Sequence, residues 1–108
     1  MDVELLVMTG CPGADAASKL LRTALDDICL VGTSFSVEVI DTAERAKARR
    51  FAGSPAFLVA GVDLFAVDDR AGSMACRLYP TPDGPRNLPA LQELRQALRQ
   101  QSARIARA

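Results

Sequence analysis

The sequence contains no histidine and no tryptophan, and aromatic residues make up only 5% of it. Without histidine, catalysis by Cys–His or Ser–His pairs is excluded, as are metal sites built on imidazole. Cysteine is scarce too, with three widely spaced residues, Cys11, Cys29 and Cys76. Because an odd number at this spacing makes a poor disulfide framework and a poor zinc site, a free or catalytic thiol is the better interpretation.

An excess of charge of either sign and long apolar runs are also missing. Thirteen basic residues balance thirteen acidic ones, so nothing global indicates nucleic acid or an anionic membrane as a partner. No apolar run reaches membrane-spanning length, and the N-terminus lacks the basic-then-apolar pattern of a secretion signal. We therefore expect a cytoplasmic protein with no nucleic-acid or membrane partner, no metal and no other cofactor.

What the chain does have is an ordinary globular composition, with 49% hydrophobic and 24% charged residues over 108 positions. That length suits a single domain with a real core. We predict one domain over residues 1–108, in which 102–108 either extend the last helix or fray as a tail.

Apolar periodicity predicts the order of the secondary-structure elements. Spacings of three and four residues indicate helices, and short apolar or alternating runs indicate strands. Helices are predicted over 12–28, over 42–51 and from Leu88 onward, and strands over 3–8, 35–40 and 56–60. A hairpin follows the third strand and returns either at Leu64 or at Met74. The order β-α-β-α-β-β-α favours an α/β fold, a mixed sheet with helices on both faces.

The junction between the first strand and the first helix carries the strongest chemical signal. Cys11 is followed by Pro12, a residue that is well tolerated as the first residue of a helix. The thiol is thus predicted at a helix N-terminus, where backbone N–H groups favour negative charge. Asp15 opposes this effect, so we expect a moderately activated thiol. The alternative is that Cys11 is merely a small residue in a capping turn, without activity.

Two short motifs resemble those of the thioredoxin superfamily. One is Cys11-Pro12 at the start of a helix, and the other is Gly53-Ser54-Pro55 before an apolar strand. The chain is also similar to small bacterial thioredoxin-like proteins. That similarity rests on Gly10-Cys11-Pro12, Gly53-Ser54-Pro55, and Cys76-Arg77-Leu78-Tyr79 with Thr81-Pro82-Asp83-Gly84. The resemblance implies a thioredoxin-like fold that covers most of the chain.

The resemblance also implies roles for individual residues. Cys11 corresponds to the nucleophilic cysteine and Pro55 to a cis-proline opposite it. Ser54 corresponds to the residue whose backbone pairs with a bound thiol substrate, and Pro12 lies beside the nucleophile. Pro12, Ser54 and Pro55 are therefore the expected substrate-binding residues.

The chain departs from the dithiol members of the superfamily at one position. Those proteins have a second cysteine three residues after the first, and here that position is Ala14. The expected activity is monothiol exchange, in which Cys11 reacts with a protein or low-molecular-weight disulfide and an external thiol resolves the product. Cys76 is either a resolving partner or a cysteine in a strand core, whereas Cys29 is expected to be buried.

Two other functions remain open at this point. One is a non-catalytic binding module on the same fold, which uses the groove between Cys11 and Pro55. The other is capture of a soft metal ion or an organometallic by Cys11 and Cys76, because thiolates favour soft metals. Replacement of Cys11 by serine separates the first from exchange chemistry, since binding would survive it.

Overall fold

The computed structural model describes residues 2–30, 32–65 and 77–107. Within these residues it is an α/β structure with a four-stranded mixed sheet and three helices. The element order is the predicted one: β1 (Val3–Met8), α1 (Ala14–Asp27), β2 (Phe35–Ile40), α2 (Ala43–Ala48), β3 (Ala56–Val59), β4 (Val62–Asp63) and α3 (Leu91–Arg107).

Strand β1 lies inside the sheet, whose strand order is β2-β1-β3-β4. It pairs in parallel with β2 and antiparallel with β3, and β3 pairs antiparallel with β4. A strand covered on both faces is expected to be apolar almost without interruption, and Leu5, Leu6 and Val7 are all buried. Glu4 is the exception, and its carboxylate forms an ion pair with Arg49 at 2.6 Å.

The core consists of two layers, one on each face of the sheet. Side chains alternate along β1, so that Leu5 and Val7 pack with α1 and α3 on one face. Leu6 points to the other face and packs with Ala46 of α2. The prediction of helices on both faces of a mixed sheet is therefore confirmed.

Helix α2 is shorter than the sequence pattern predicts. The pattern indicates a helix capped by Asp41 and ended by Gly53, and both assignments are wrong. Thr42 is the N-cap, since its hydroxyl oxygen accepts a hydrogen bond from the Arg45 N–H at 3.1 Å. The helix ends before Arg50, which adopts a left-handed conformation with φ of 50°.

The hairpin between β3 and β4 turns earlier than either predicted position. Ala60 and Gly61 both have positive φ, 53° and 78°, as the two central residues of a tight hairpin turn require. The second strand therefore begins at Val62, two residues before Leu64, the earlier of the two predicted starting points. The other, Met74, lies outside the described residues.

Helix α3 begins at Leu91, later than the predicted start at Leu88. The residue before a proline is disfavoured in the helical region, and Pro89 follows Leu88 directly. The helix then continues to Arg107, so the segment after residue 102 extends it. None of the described helices combines the length and the apolar character that crossing a membrane requires.

Candidate functional site

Cys11 lies in the turn that joins β1 to α1. Its N–H donates to the Met8 carbonyl oxygen at 3.0 Å, and its own carbonyl accepts from the Ala14 N–H at 3.3 Å. Gly13 is the N-cap of α1, so Ala14 is the first helical residue. The expectation that Pro12 opens the helix is wrong, because Pro12 lies within the turn that these hydrogen bonds close.

The Cys11 side chain is free and half-buried. It packs at the margin of the core layer formed by β1, α1 and α3, and its neighbour Pro12 is exposed. Cys11 is therefore packed against the core on one side and remains partly exposed as a residue.

The Ser54–Pro55 loop approaches the same end of the sheet. Because β3 runs antiparallel to β1, its first residue, Ala56, pairs with Leu6 near the end of β1. The Ser54 hydroxyl oxygen accepts a hydrogen bond from the Met8 N–H at 2.9 Å. The Ser54–Pro55 peptide bond is cis. Two segments that are far apart in sequence, the Cys11 turn and this loop, are therefore joined through Met8.

Ser54 and Pro55 are both buried. The Ser54 carbonyl oxygen already accepts two hydrogen bonds, from the Arg77 N–H at 2.9 Å and from Asn87 Nδ2 at 3.3 Å. The Tyr79 hydroxyl donates to the Pro55 carbonyl oxygen. Both carbonyl oxygens therefore already accept hydrogen bonds from other residues of the protein. The substrate-binding role that the resemblance implies for Ser54 and Pro55 stays a prediction.

Asn87 connects the turn after Cys11, the Ser54–Pro55 loop and the segment that begins at Arg77. Its Nδ2 also donates to the Arg77 carbonyl oxygen at 3.1 Å. Its Oδ1 lies against Gly13, where an added Cβ would come within 2.4 Å of that oxygen. Sequence reasoning missed Asn87, because a single polar residue between a turn and a helix shows no periodicity. Pro89, two residues later, indicates only a break before the next helix.

Arg77 anchors the segment that reaches Ser54. Its side chain is only 3% exposed and forms an ion pair with Asp63 at 2.7 Å. The guanidinium also donates to the Phe65 carbonyl oxygen and lies 4.8 Å from the centre of the Tyr79 ring. Burial raises the pKa of Tyr79 well above its usual range, while the nearby Arg77 charge acts in the opposite direction. The buried charge of Arg77 is thus compensated by a carboxylate, a carbonyl group and an aromatic face.

The two cysteines within the described residues lie at opposite ends of α1. Cys29 is exposed, with φ of 68°, so the expectation that it is buried is wrong. It follows the last turn of a helix of 14 residues, which spans about 21 Å at 1.5 Å per residue. Since a disulfide requires Cα atoms within about 7 Å, Cys29 and Cys11 are not partners. Cys76, the predicted alternative partner, lies outside the described residues.

A surface groove of about 530 Å³ lies next to the site. Asn87, Leu88 and Pro89 form part of its wall. Its volume is in the range of pockets that hold small molecules, and mostly apolar walls of this kind are typical of them. Through Asn87 the groove borders the turn that contains Cys11.

A metal centre finds no support in the described part of the chain. Residues 2–30, 32–65 and 77–107 contain no group of three or more His, Cys, Asp or Glu residues placed to hold a metal ion. Capture of a soft metal by Cys11 and Cys76 depends on a cysteine outside these residues, so it stays a prediction.

Comparison of the chain with protein-family models, curated proteins and solved structures finds no match in any of the three.

Proposed function

We propose that this protein is a thioredoxin-like monothiol protein that carries out thiol–disulfide exchange through Cys11. The observation that carries the proposal is the position of this half-buried free thiol between β1 and α1, next to the loop at Ser54. The element order and the mixed sheet with helices on both faces support the thioredoxin-like assignment. The position of Ala14 in place of a second cysteine supports a single-thiol reaction.

The exchange consists of two balanced steps. The Cys11 thiolate attacks one sulfur of a disulfide, the S–S bond breaks, and the other sulfur leaves as a thiolate. An external thiolate then attacks the mixed disulfide, and Cys11 is released in its original form. The proposal includes a cytoplasmic location, where a reducing thiol pool supplies that external thiol.

The experiment measures how fast Cys11 attacks a chromogenic aromatic disulfide. Cys29 and Cys76 are first replaced by serine, because any thiol other than Cys11 would add to the measured rate, above all in the unfolded chain. A thiol that takes part in exchange is expected to react faster in its folded site than in an unfolded chain, so we expect the native protein to react about two- to fivefold faster than the same protein unfolded in denaturant. The variant Cys11→Ser is expected to lose this native-state reaction.

Two outcomes bear directly on the proposal. A Cys11 that reacts no faster in the native than in the unfolded chain would contradict it. Peptide mapping of the oxidised protein by mass spectrometry addresses the role of Cys76: a Cys11–Cys76 disulfide would replace the single-thiol cycle with a two-thiol cycle.

A further inference from the structure

The carbonyl groups of the Ser54–Pro55 loop are capped by a later part of the chain, which we call the capping segment (residues 77–87). Ser54 O accepts from the Arg77 N–H and from Asn87 Nδ2. Pro55 O accepts from the Tyr79 hydroxyl. A carbonyl oxygen has two lone pairs, so the Ser54 oxygen is saturated by these two donors.

Because of these hydrogen bonds, an extended peptide cannot form a main-chain hydrogen bond with the Ser54 carbonyl oxygen. An extended peptide gains affinity when its main chain forms hydrogen bonds with free backbone groups of its partner. Ser54 is fully buried, and its carbonyl has no lone pair left for such a bond. A peptide that reaches Cys11 therefore gains no main-chain hydrogen bond from this carbonyl.

The capping segment is held firmly in its place. Tyr79 and Arg86 pair as an antiparallel bridge around a turn in which the Thr81 hydroxyl donates to the Gly84 carbonyl at 2.6 Å. The buried ion pair of Arg77 with Asp63 fixes the start of the segment. Breaking a buried pair leaves an uncompensated charge, so displacement of the segment by a peptide is unfavourable.

Small molecules meet no such obstacle at this site. The groove of about 530 Å³, whose wall includes Asn87, has room for a low-molecular-weight ligand. We propose that the capping segment makes Cys11 selective for low-molecular-weight disulfides over polypeptide disulfides. This inference rests on the proposed function, since it names the substrate class of the same thiol.

The test uses two probes with the same leaving group. One is a single blocked cysteine linked through a disulfide to nitrothiobenzoate, and the other is an eight-residue extended peptide with the same mixed disulfide at a central cysteine. In both, Cys11 attacks the cysteine sulfur and the coloured nitrothiobenzoate anion leaves, because the thiol with the lower pKa departs faster. The ratio of the two second-order rate constants measures what the flanking peptide contributes.

The expected ratio of peptide to single-residue rate constants is below one in the protein with Cys29→Ser and Cys76→Ser, because the flanking peptide gains no bond from the capped carbonyl groups. Tyr79→Phe keeps the ring but removes the donor to Pro55, and Asn87→Ala removes one donor to Ser54. We expect each to raise the ratio severalfold, by about three- to tenfold for one main-chain hydrogen bond gained. Gln92→Ala, at an exposed position of α3, is the matched control and should leave the ratio unchanged.

The outcomes separate this inference from the proposed function. If neither probe reacts with Cys11, the proposed function fails. If both react but the peptide is as fast as the single residue or faster in the unmodified site, or if neither Tyr79→Phe nor Asn87→Ala raises the ratio, the inference on substrate class is overturned while thiol exchange stands. Thermal unfolding of each variant confirms that the ratio is measured on folded protein.

Discussion

Cys29 occupies a backbone position that usually belongs to glycine. Its N–H donates to the Asp26 carbonyl at 3.1 Å, and the Leu30 N–H donates to the Leu25 carbonyl at 2.8 Å. These two bonds form a Schellman motif, which places the residue after the helix in the left-handed region. Cys29 has φ of 68° there, so its Cβ is strained while its thiol is exposed to solvent.

Replacement of Cys29 by glycine should therefore stabilise the protein. The left-handed conformation costs an ordinary residue about 1–2 kcal/mol, and the greater freedom of glycine in the unfolded chain offsets part of the gain. We expect the free energy of unfolding to rise by about 0.5–1 kcal/mol, measured by denaturant titration. Cys29→Ala is the matched control, because it removes the thiol and keeps the Cβ. An equal gain in both variants would show that the thiol, and not the backbone, is responsible.

At the scale of elements, the contact between Gly13 and Asn87 joins the start of α1 to the capping segment. Gly13 has φ of −92° and ψ of 4°, a conformation open to other residues, so backbone strain does not account for a glycine there. The reason is steric, since a Cβ would stand 2.4 Å from Asn87 Oδ1. Asn87 has little freedom to withdraw, because its Nδ2 donates to both Ser54 and Arg77.

Gly13→Ala is expected to lower the free energy of unfolding by about 1–3 kcal/mol, because the Asn87 side chain must rotate and release its hydrogen bonds. In an Asn87→Ala background the same substitution should cost about 1 kcal/mol less, which a double-mutant cycle measures directly. Gly32→Ala serves as the control, since nothing lies within 4 Å of a Cβ added there. Additive costs of Gly13→Ala and Asn87→Ala would refute the steric explanation.

The elements that the sequence predicted correctly are those defined by local periodicity. α1 follows from an apolar face that includes Ala17, Leu21 and Leu25, all buried in the structure. A short apolar run predicts β1, and in the structure this strand lies between β2 and β3. Patterns of this kind report which face of an element is covered, and they are read from neighbouring residues alone.

The ends of elements and the details of the site were harder to predict. The usual signal for a left-handed helix end is glycine, yet the left-handed residues that follow α1 and α2 are Cys29 and Arg50. The hydrogen bond from Asn87 to Ser54 joins residues 33 positions apart, and the Arg77–Asp63 pair spans 14 positions. Such contacts depend on how elements pack together, so no local pattern indicates them.

For the whole molecule, Tyr79 connects the capping segment to the core. It is only 2% exposed, and its ring packs edge-on against Phe57 and Phe65, with ring centres 6.3 and 5.2 Å away. Its hydroxyl is buried and donates to the Pro55 carbonyl oxygen, which requires the neutral form. Ionisation of Tyr79 in the folded protein is therefore opposed by burial, and its pKa is raised.

This shift predicts how global stability depends on pH. Tyr79 is the single tyrosine of the chain, and its pKa is raised in the folded state above the ordinary value of 10.0. The unfolded state therefore loses this proton first, so stability is retained below pH 10 and falls above it, by about 1.4 kcal/mol per pH unit for one proton. Tyr79→Phe lacks this loss, and the lysines and arginines shared by both proteins cancel in the comparison. Denaturant titrations of the two proteins between about pH 8 and 11 should show the advantage of the tyrosine protein shrinking above pH 10. Parallel stability curves, or tyrosinate absorbance that appears before unfolding, would mean that the Tyr79 hydroxyl ionises freely and does not hold the capping segment against Pro55.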